Sequence, residues 1–127
     1  MRILDTNIIV RIILGEDTQQ NQKAQIILHE IVSGDQEVFI PTLVVSEVLY
    51  VLCGKIYQRN KDDAIVALQT FGQIKNISYE EEHLIEQTLE IYGSCSLAFT
   101  DCYLLIKSKI LNAQLDTLDQ KLNEAIF

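Results

Sequence analysis

The sequence has few of the residues that build specialised scaffolds. Its 127 residues include three cysteines, one proline, five glycines and no tryptophan. Because Cys53, Cys95 and Cys102 are odd in number, widely spaced and without a C-x-x-C motif, a disulfide scaffold is excluded. Such cysteines are typical of a reduced compartment, so we expect a cytoplasmic protein. With one proline and no linker-like segment, the sequence predicts a single domain over residues 1–127.

Long apolar runs are also missing. The most apolar stretch, residues 38–54, contains Pro41 and Glu47 and is shorter than the roughly 20 apolar residues of a membrane-spanning helix. The apolar N-terminal run is broken by Asp5 and Arg11 and is therefore not typical of a signal peptide. We expect no association with a membrane.

Basic residues are in the minority. Ten Lys and Arg residues stand against 18 Asp and Glu residues, which gives a net charge of −8. A nucleic acid, as a polyanion, would be repelled by this charge. Binding to a nucleic acid would therefore need bound cations or a locally basic groove, and an acidic surface would alternatively suit a basic protein partner.

Short apolar runs alternate with longer amphipathic segments. The strand candidates are residues 2–4, 37–40, 74–78 and 113–115. The helical periodicity and end signals predict helices over residues 7–14, 18–33, 42–52, 60–71, 80–92, 100–111 and 118–127. This alternation predicts an α/β fold with a mainly parallel sheet, in which the N-terminal strand is central.

Carboxylates follow the ends of the predicted strands. Asp5 comes directly after the first strand, Asp116 and Asp119 follow the last, and Asp101 opens a helix after a short apolar lead-in. Ligands of parallel sheets bind at the carboxyl ends of the strands, so we expect these acids at one edge. Glu47 lies on an otherwise apolar helix face, where a carboxylate is unexpected unless it has a particular structural or functional role.

Taken together, four of these acids predict a metal site: Asp5, Glu47, Asp101 and Asp119. Carboxylates gathered at one edge repel each other, and a divalent cation removes that repulsion. Oxygen ligands without matching His or Cys favour Mg²⁺ or Mn²⁺ over Zn²⁺. Such a site activates water and stabilises charge on a phosphoryl group.

Taken singly, the same acids have structural interpretations. Asp101 could cap a helix, and Asp119 could help to cap the last one, because the segment 117–120 resembles a capping box. Glu47 could lie at the rim of its apolar face and reach water. Asp5, set between apolar runs, is poorly placed for a surface role.

Four motifs, in order, resemble those of the PIN-domain ribonucleases. Residues 3–9 (ILDTNII) are similar to the start of these proteins, and residues 40–48 (IPTLVVSEV) to their second motif, where a helix supplies a Glu. Residues 99–106 (FTDCYLLI) resemble the third motif, and residues 115–122 (LDTLDQKL) the fourth, a Thr-x-Asp after the last inner strand. The similarity covers essentially the whole chain. The length of the chain and the order of its motifs match single-domain toxins of the VapC type.

The resemblance implies one PIN-like domain, an α/β/α sandwich with a short central sheet. It implies that one or two Mg²⁺ or Mn²⁺ ions are held by Asp5, Glu47, Asp101 and Asp119. Asn7 would orient the Asp5 carboxylate or a bound water, and Thr117 would bring a hydroxyl to the metal-bound water or a phosphate. The implied reaction is hydrolysis of RNA by metal-activated water, without a covalent intermediate.

The implied role is the toxin of a toxin–antitoxin pair, with RNA as substrate. A small antitoxin would cover or distort the acidic site with Arg or Lys side chains, and the toxin would form a homodimer. An alternative is a non-catalytic PIN-fold interaction module, which the loss of an acid would favour, but all four are present. A phosphoryl-transfer receiver domain needs an acidic pair after the first strand, where Asp5 stands alone.

Overall fold

The computed structural model describes residues 1–16 and 18–126. The chain forms two compact units, of which the first covers Met1–Glu80 and the second begins at Glu81. The described elements are, in chain order, β1 (Arg2–Ile3), α1 (Thr6–Leu14), α2 (Gln19–Ser33), β2 (Val38–Ile40), α3 (Thr42–Leu52), α4 (Lys61–Gly72), β3 (Ile77–Tyr79), α5 (Glu82–Ser94), α6 (Phe99–Leu111) and α7 (Gln120–Ala125).

The sheet belongs to the first unit, and its described strands are parallel. The strand order is β1-β2-β3, with Arg2 opposite Val38 and Val38 opposite Ile77. The predicted α/β alternation with a short parallel sheet is confirmed. The predicted central position of the N-terminal strand is wrong, because β1 lies at an edge of the described sheet and β2 is its middle strand.

The fourth strand predicted at residues 113–115 is also wrong, since the structure describes these residues without a strand. Asn112 ends α6 in the left-handed conformation with φ 51°. The N–H of Ala113 then donates to the carbonyl of Ser108 at 2.8 Å, so the backbone here closes the helix instead of joining a ladder. The segment also has no β-branched or aromatic residue, which lowers its preference for a strand.

The predicted helices are confirmed with small shifts at their ends. The third strand starts later than predicted, because the N–H of Ile77 donates to the carbonyl of Ile74 and Asn76 has φ 72°. The final helix ends at Ala125, and residue 127, at the end of its predicted range, lies outside the described residues. None of the described helices combines the length and the apolar character needed to cross a membrane.

The core of the first unit includes β2 and the buried faces of α1 and α3, two helices that contact each other. Val38 and Ile40 of β2 have no exposed surface, and the same holds for Ile9 of α1 and Val48 of α3. Burying an aliphatic side chain contributes about 1.5–3 kcal/mol each. This packing fixes the segments that leave the sheet at Asp5 and Pro41.

Both α1 and α3 depend on particular groups at their ends. Gly15 ends α1 with φ 63°, and its N–H donates to the carbonyl of Arg11 at 3.1 Å. Pro41 occupies the N-cap position of α3 and offers no side-chain acceptor. A carboxylate oxygen of Glu80, Oε1, instead accepts the N–H of Thr42 at 3.0 Å, which satisfies one of the open donors of the first turn.

The second unit is built on α5 and α6, which contact each other along their lengths. Tyr92 and Phe99 meet edge to face at the turn between these helices, with ring centroids 6.0 Å apart and planes at 79°. At the start of α5, Glu81 accepts a hydrogen bond from Tyr103 and forms an ion pair with Lys107, each at 2.8 Å. These contacts hold α6, and with it Asp101, against α5.

Candidate active site

The six predicted site residues are divided between the two units. The first unit contains Asp5, Asn7 and Glu47, and the second contains Asp101, Thr117 and Asp119. Each unit therefore contains two of the acids and one neutral polar side chain.

Asp5 lies between β1 and α1. Its neighbours Leu4 and Thr6 are buried, whereas Asp5 itself is exposed between them. Its backbone is extended, with φ −68° and ψ 152°, and its carbonyl accepts from Ile8 at 3.1 Å. The side chain makes no cap hydrogen bond. The carboxylate therefore does not cap α1. It is exposed to solvent, where it can bind a cation.

Asn7 and Glu47 both occur on helices that leave the same edge of the sheet. Ile3 is opposite Phe39 in the ladder. Asp5 and Pro41 each follow these residues by two positions, so both lie just beyond the carboxyl ends of their strands, at the same edge of the sheet. Asn7 is exposed on the first turn of α1. Glu47 is six residues beyond Pro41, which corresponds to about 9 Å of helix.

The exposure of Glu47 changes the interpretation of its helix face. Val48 and Leu49 are the buried residues beside it, while Val44 and Val51, which share its face, are half-buried. Glu47 itself is exposed, so it lies at the rim of the apolar face, as its structural interpretation predicts. A carboxylate at this rim carries no burial penalty, and a cation can reach it from solvent.

Asp101 is half-buried and is the third residue of α6. The interpretation of Asp101 as a helix cap is wrong, because the N-cap residue is Ala98. A charge in the first turn still interacts favourably with the helix dipole, by about 0.3–1 kcal/mol. Cys102, the next residue, has no exposed surface and anchors this turn in the protein.

Asp119 is the N-cap of α7 and accepts the N–H of Leu122 through Oδ1 at 2.9 Å. The capping interpretation is confirmed for Asp119, but the capping-box assignment to Thr117 is wrong. Instead, Thr117 accepts the N–H of Asp119 through Oγ1 at 3.0 Å and holds the loop before the helix. Asp116 is exposed and accepts a hydrogen bond from Gln114 at 2.8 Å.

Two substitutions of Asp119 distinguish its contribution as a helix cap from any other role of its side chain. Because Asn caps about as well as Asp, we expect Asp119→Asn without metal to keep the unfolding free energy within about 0.5 kcal/mol of wild type. Asp119→Ala should lower it by about 0.5–2 kcal/mol. Urea denaturation in EDTA measures both, with Asp116→Ala as the matched exposed control. Equal losses in the two Asp119 variants would contradict a capping contribution from this side chain.

The four acids are chemically suited to a hard cation. Three are exposed and one is half-buried, and all offer carboxylate oxygens, the ligands that Mg²⁺ and Mn²⁺ prefer. The ion pairs found in the described chain, Arg2–Glu30 and Lys107–Glu81, involve none of them. Across residues 1–16 and 18–126, no group of three or more Asp, Glu, His or Cys side chains is close enough to hold a metal ion.

Comparison with known proteins gives a family match. A family model for the PIN domain matches residues 2–127. Among solved structures, the chain is similar to the crystal structure of Mycobacterium tuberculosis VapC20, described as a sarcin-ricin loop cleaving toxin, with 15% identity and a TM-score of 0.43. That alignment covers 100% of this chain and 96% of the other. No curated protein matches the sequence.

Proposed function

Because the chain belongs to the PIN domain family, we propose that it is a metal-dependent endoribonuclease that hydrolyses phosphodiester bonds of RNA. The match over residues 2–127 carries this proposal, and it agrees with the ribonuclease class predicted from the four acidic motifs. It also supports the assignment of residues 1–127 to one PIN-like domain.

The residues that would hold the metal are Asp5, Glu47, Asp101 and Asp119, with Mg²⁺ as the cofactor and Mn²⁺ as a substitute. When bound, the cation supplies an activated water and stabilises the charge that develops on the phosphoryl group. The chain alone has a net charge of −8, which repels RNA. The cation held by these acids would thus also turn a surface that repels RNA into one that accepts a phosphate group.

Two neutral side chains would act beside these acids. Thr117 already accepts the N–H of Asp119 through its hydroxyl oxygen. A hydroxyl has one donor and two acceptor sites, so its hydrogen stays available for a phosphate oxygen or a bound water. Asn7 is exposed two residues after Asp5, and its amide can donate to the Asp5 carboxylate and orient it.

The biological role in this proposal is that of a cytoplasmic toxin. Its partner would be a small antitoxin with Arg or Lys side chains that reach the exposed carboxylates of Asp5, Glu47 and Asp119. The toxin would act as a homodimer.

Cleavage of RNA by the purified chain tests the proposed activity. We expect cleavage with Mg²⁺ or Mn²⁺ and none with excess EDTA, because the proposal assigns the activation of water to the cation. Single-stranded DNA of the same sequence is the substrate control, and Asp5→Asn purified in parallel controls for contaminating nucleases. Cleavage that persists in EDTA would refute metal dependence. No cleavage with either metal would favour a non-catalytic PIN-fold module.

A further inference from the structure

Two of the three cysteines face each other in the second unit. The Sγ atoms of Cys95 and Cys102 are 3.6 Å apart. Cys95 follows the last residue of α5 and is half-buried, whereas Cys102 is in the first turns of α6 and has no exposed surface. Cys95 is thus the more accessible residue of the pair, and Cys102 is the shielded one.

The helix hairpin holds the two thiols in this arrangement. Residues 95–98 join α5 to α6. Tyr92 and Phe99, each three residues before one of the two cysteines, make a ring contact across the same connection. A disulfide has an S–S distance of about 2.05 Å, so closure needs about 1.5 Å of approach. That displacement is small for two side chains on a short connection.

We propose that Cys95 and Cys102 form a peroxide-responsive dithiol that closes to an intrachain disulfide and lowers nuclease activity. Its effect on activity rests on the proposed function, whereas formation of the disulfide does not. Redox-sensing cysteines usually combine a solvent-accessible thiol with a neighbouring resolving thiol.

The reaction has two balanced steps. Hydrogen peroxide transfers one oxygen to Cys95: the O–O bond breaks, an S–O bond forms, and water leaves. The sulfur of Cys102 then attacks the sulfur of Cys95: the S–S bond forms, the S–O bond breaks, and hydroxide leaves as water with the thiol proton of Cys102. Two thiols are oxidised and one peroxide is reduced to two waters. A small-molecule dithiol reverses the change by exchange.

Closure would act on the proposed metal site through Asp101. Cys102 follows Asp101 directly, and its N–H donates to the carbonyl of Ala98 at 3.1 Å in the first turn of α6. Drawing the Cys102 sulfur towards Cys95 therefore pulls on the turn that carries the Asp101 carboxylate. Because a misplacement of about 1 Å can cost about a hundredfold in rate, we expect the oxidised protein to cleave RNA at least about tenfold more slowly.

Mass spectrometry of the full chain tests formation of the bond. Protein treated with hydrogen peroxide, quenched, denatured and alkylated should take up one alkyl group, at Cys53, whereas untreated protein takes up three. Peptide mapping should join Cys95 to Cys102. Cys53→Ser is the matched control and should still form the bond, while Cys95→Ser should not. Oxidation of Cys95 to a sulfinic acid, or a disulfide that includes Cys53, would overturn the proposal.

The rate of RNA cleavage tests the consequence. We expect peroxide to slow wild type and Cys53→Ser, a dithiol to restore both, and Cys95→Ser to keep its rate throughout. A disulfide that forms without a change in rate would refute the regulatory part. If the reduced protein does not cleave RNA at all, the proposed function fails, and the mass measurement still decides whether the dithiol closes.

Discussion

Asp5→Asn and Asp101→Asn are each expected to lower metal-dependent RNA cleavage by at least about a hundredfold. Each change removes the charge of one ligand with almost no change in volume, and even a change in the groups that support metal ligands costs about 10–100-fold in affinity or activity. The fold should survive, because the Asp5 side chain caps no helix and Asp101 is not at the N-cap position of α6, which is Ala98. Initial rates on a labelled RNA, measured across Mn²⁺ concentrations, check this expectation.

The matched control for these variants is Asp116→Asn. Asp116 is an exposed acid near the fourth motif that none of the assigned roles requires, so its loss should leave the rate close to that of wild type. Circular dichroism of all three variants checks that the fold is intact. Wild-type activity in Asp5→Asn or Asp101→Asn would exclude the assigned metal ligands, even if RNA cleavage itself is real.

Mn²⁺ is expected to stabilise the wild-type protein by about 2.7 kcal/mol at a hundredfold excess over its Kd, because the cation binds the folded chain and not the unfolded one. Asp101→Asn should gain much less. Asp101 also interacts with the dipole of α6, so its substitution changes stability without metal as well. The useful quantity is therefore the difference between Mn²⁺ and EDTA within each protein, in which the dipole contribution cancels.

Thermal melts of wild type, Asp101→Asn and Asp116→Asn, each in EDTA and in Mn²⁺, measure this difference. If the four acids gather at one site, relief of their repulsion in EDTA should stabilise Asp101→Asn by roughly 0.5–2 kcal/mol, less the lost dipole interaction. Asp116→Asn should respond to Mn²⁺ as wild type does. If Mn²⁺ leaves the wild-type Tm at its EDTA value, the four acids bind no metal without RNA, and cleavage would require a metal that arrives with the substrate.

Local sequence signals predicted the helices well. The segment that becomes α2 has a helical apolar pattern, and the side chain of Thr18 caps it. The same signals are weaker for the short strands: β1 and β2 lie within the predicted ranges 2–4 and 37–40, but β3 starts later than predicted and residues 113–115 form no strand. Two or three residues carry little periodicity, and a strand forms only when its backbone pairs with another strand. Residues 113–115 show this failure, since their hydrogen bonding closes α6 at Asn112 instead of extending the sheet.

The sequence by itself determined the kind and the order of the acidic motifs, and therefore the family, because residue type and spacing need no tertiary information. Only the tertiary structure decided that Glu47 lies at the rim of its helix face, that Asp119 caps α7 and that Asp101 caps nothing. It also decided that the Cys95 and Cys102 sulfurs are 3.6 Å apart. Burial and side-chain contacts depend on which elements pack together, and that packing is set by the whole apolar pattern of each unit and not by the local sequence around any one residue.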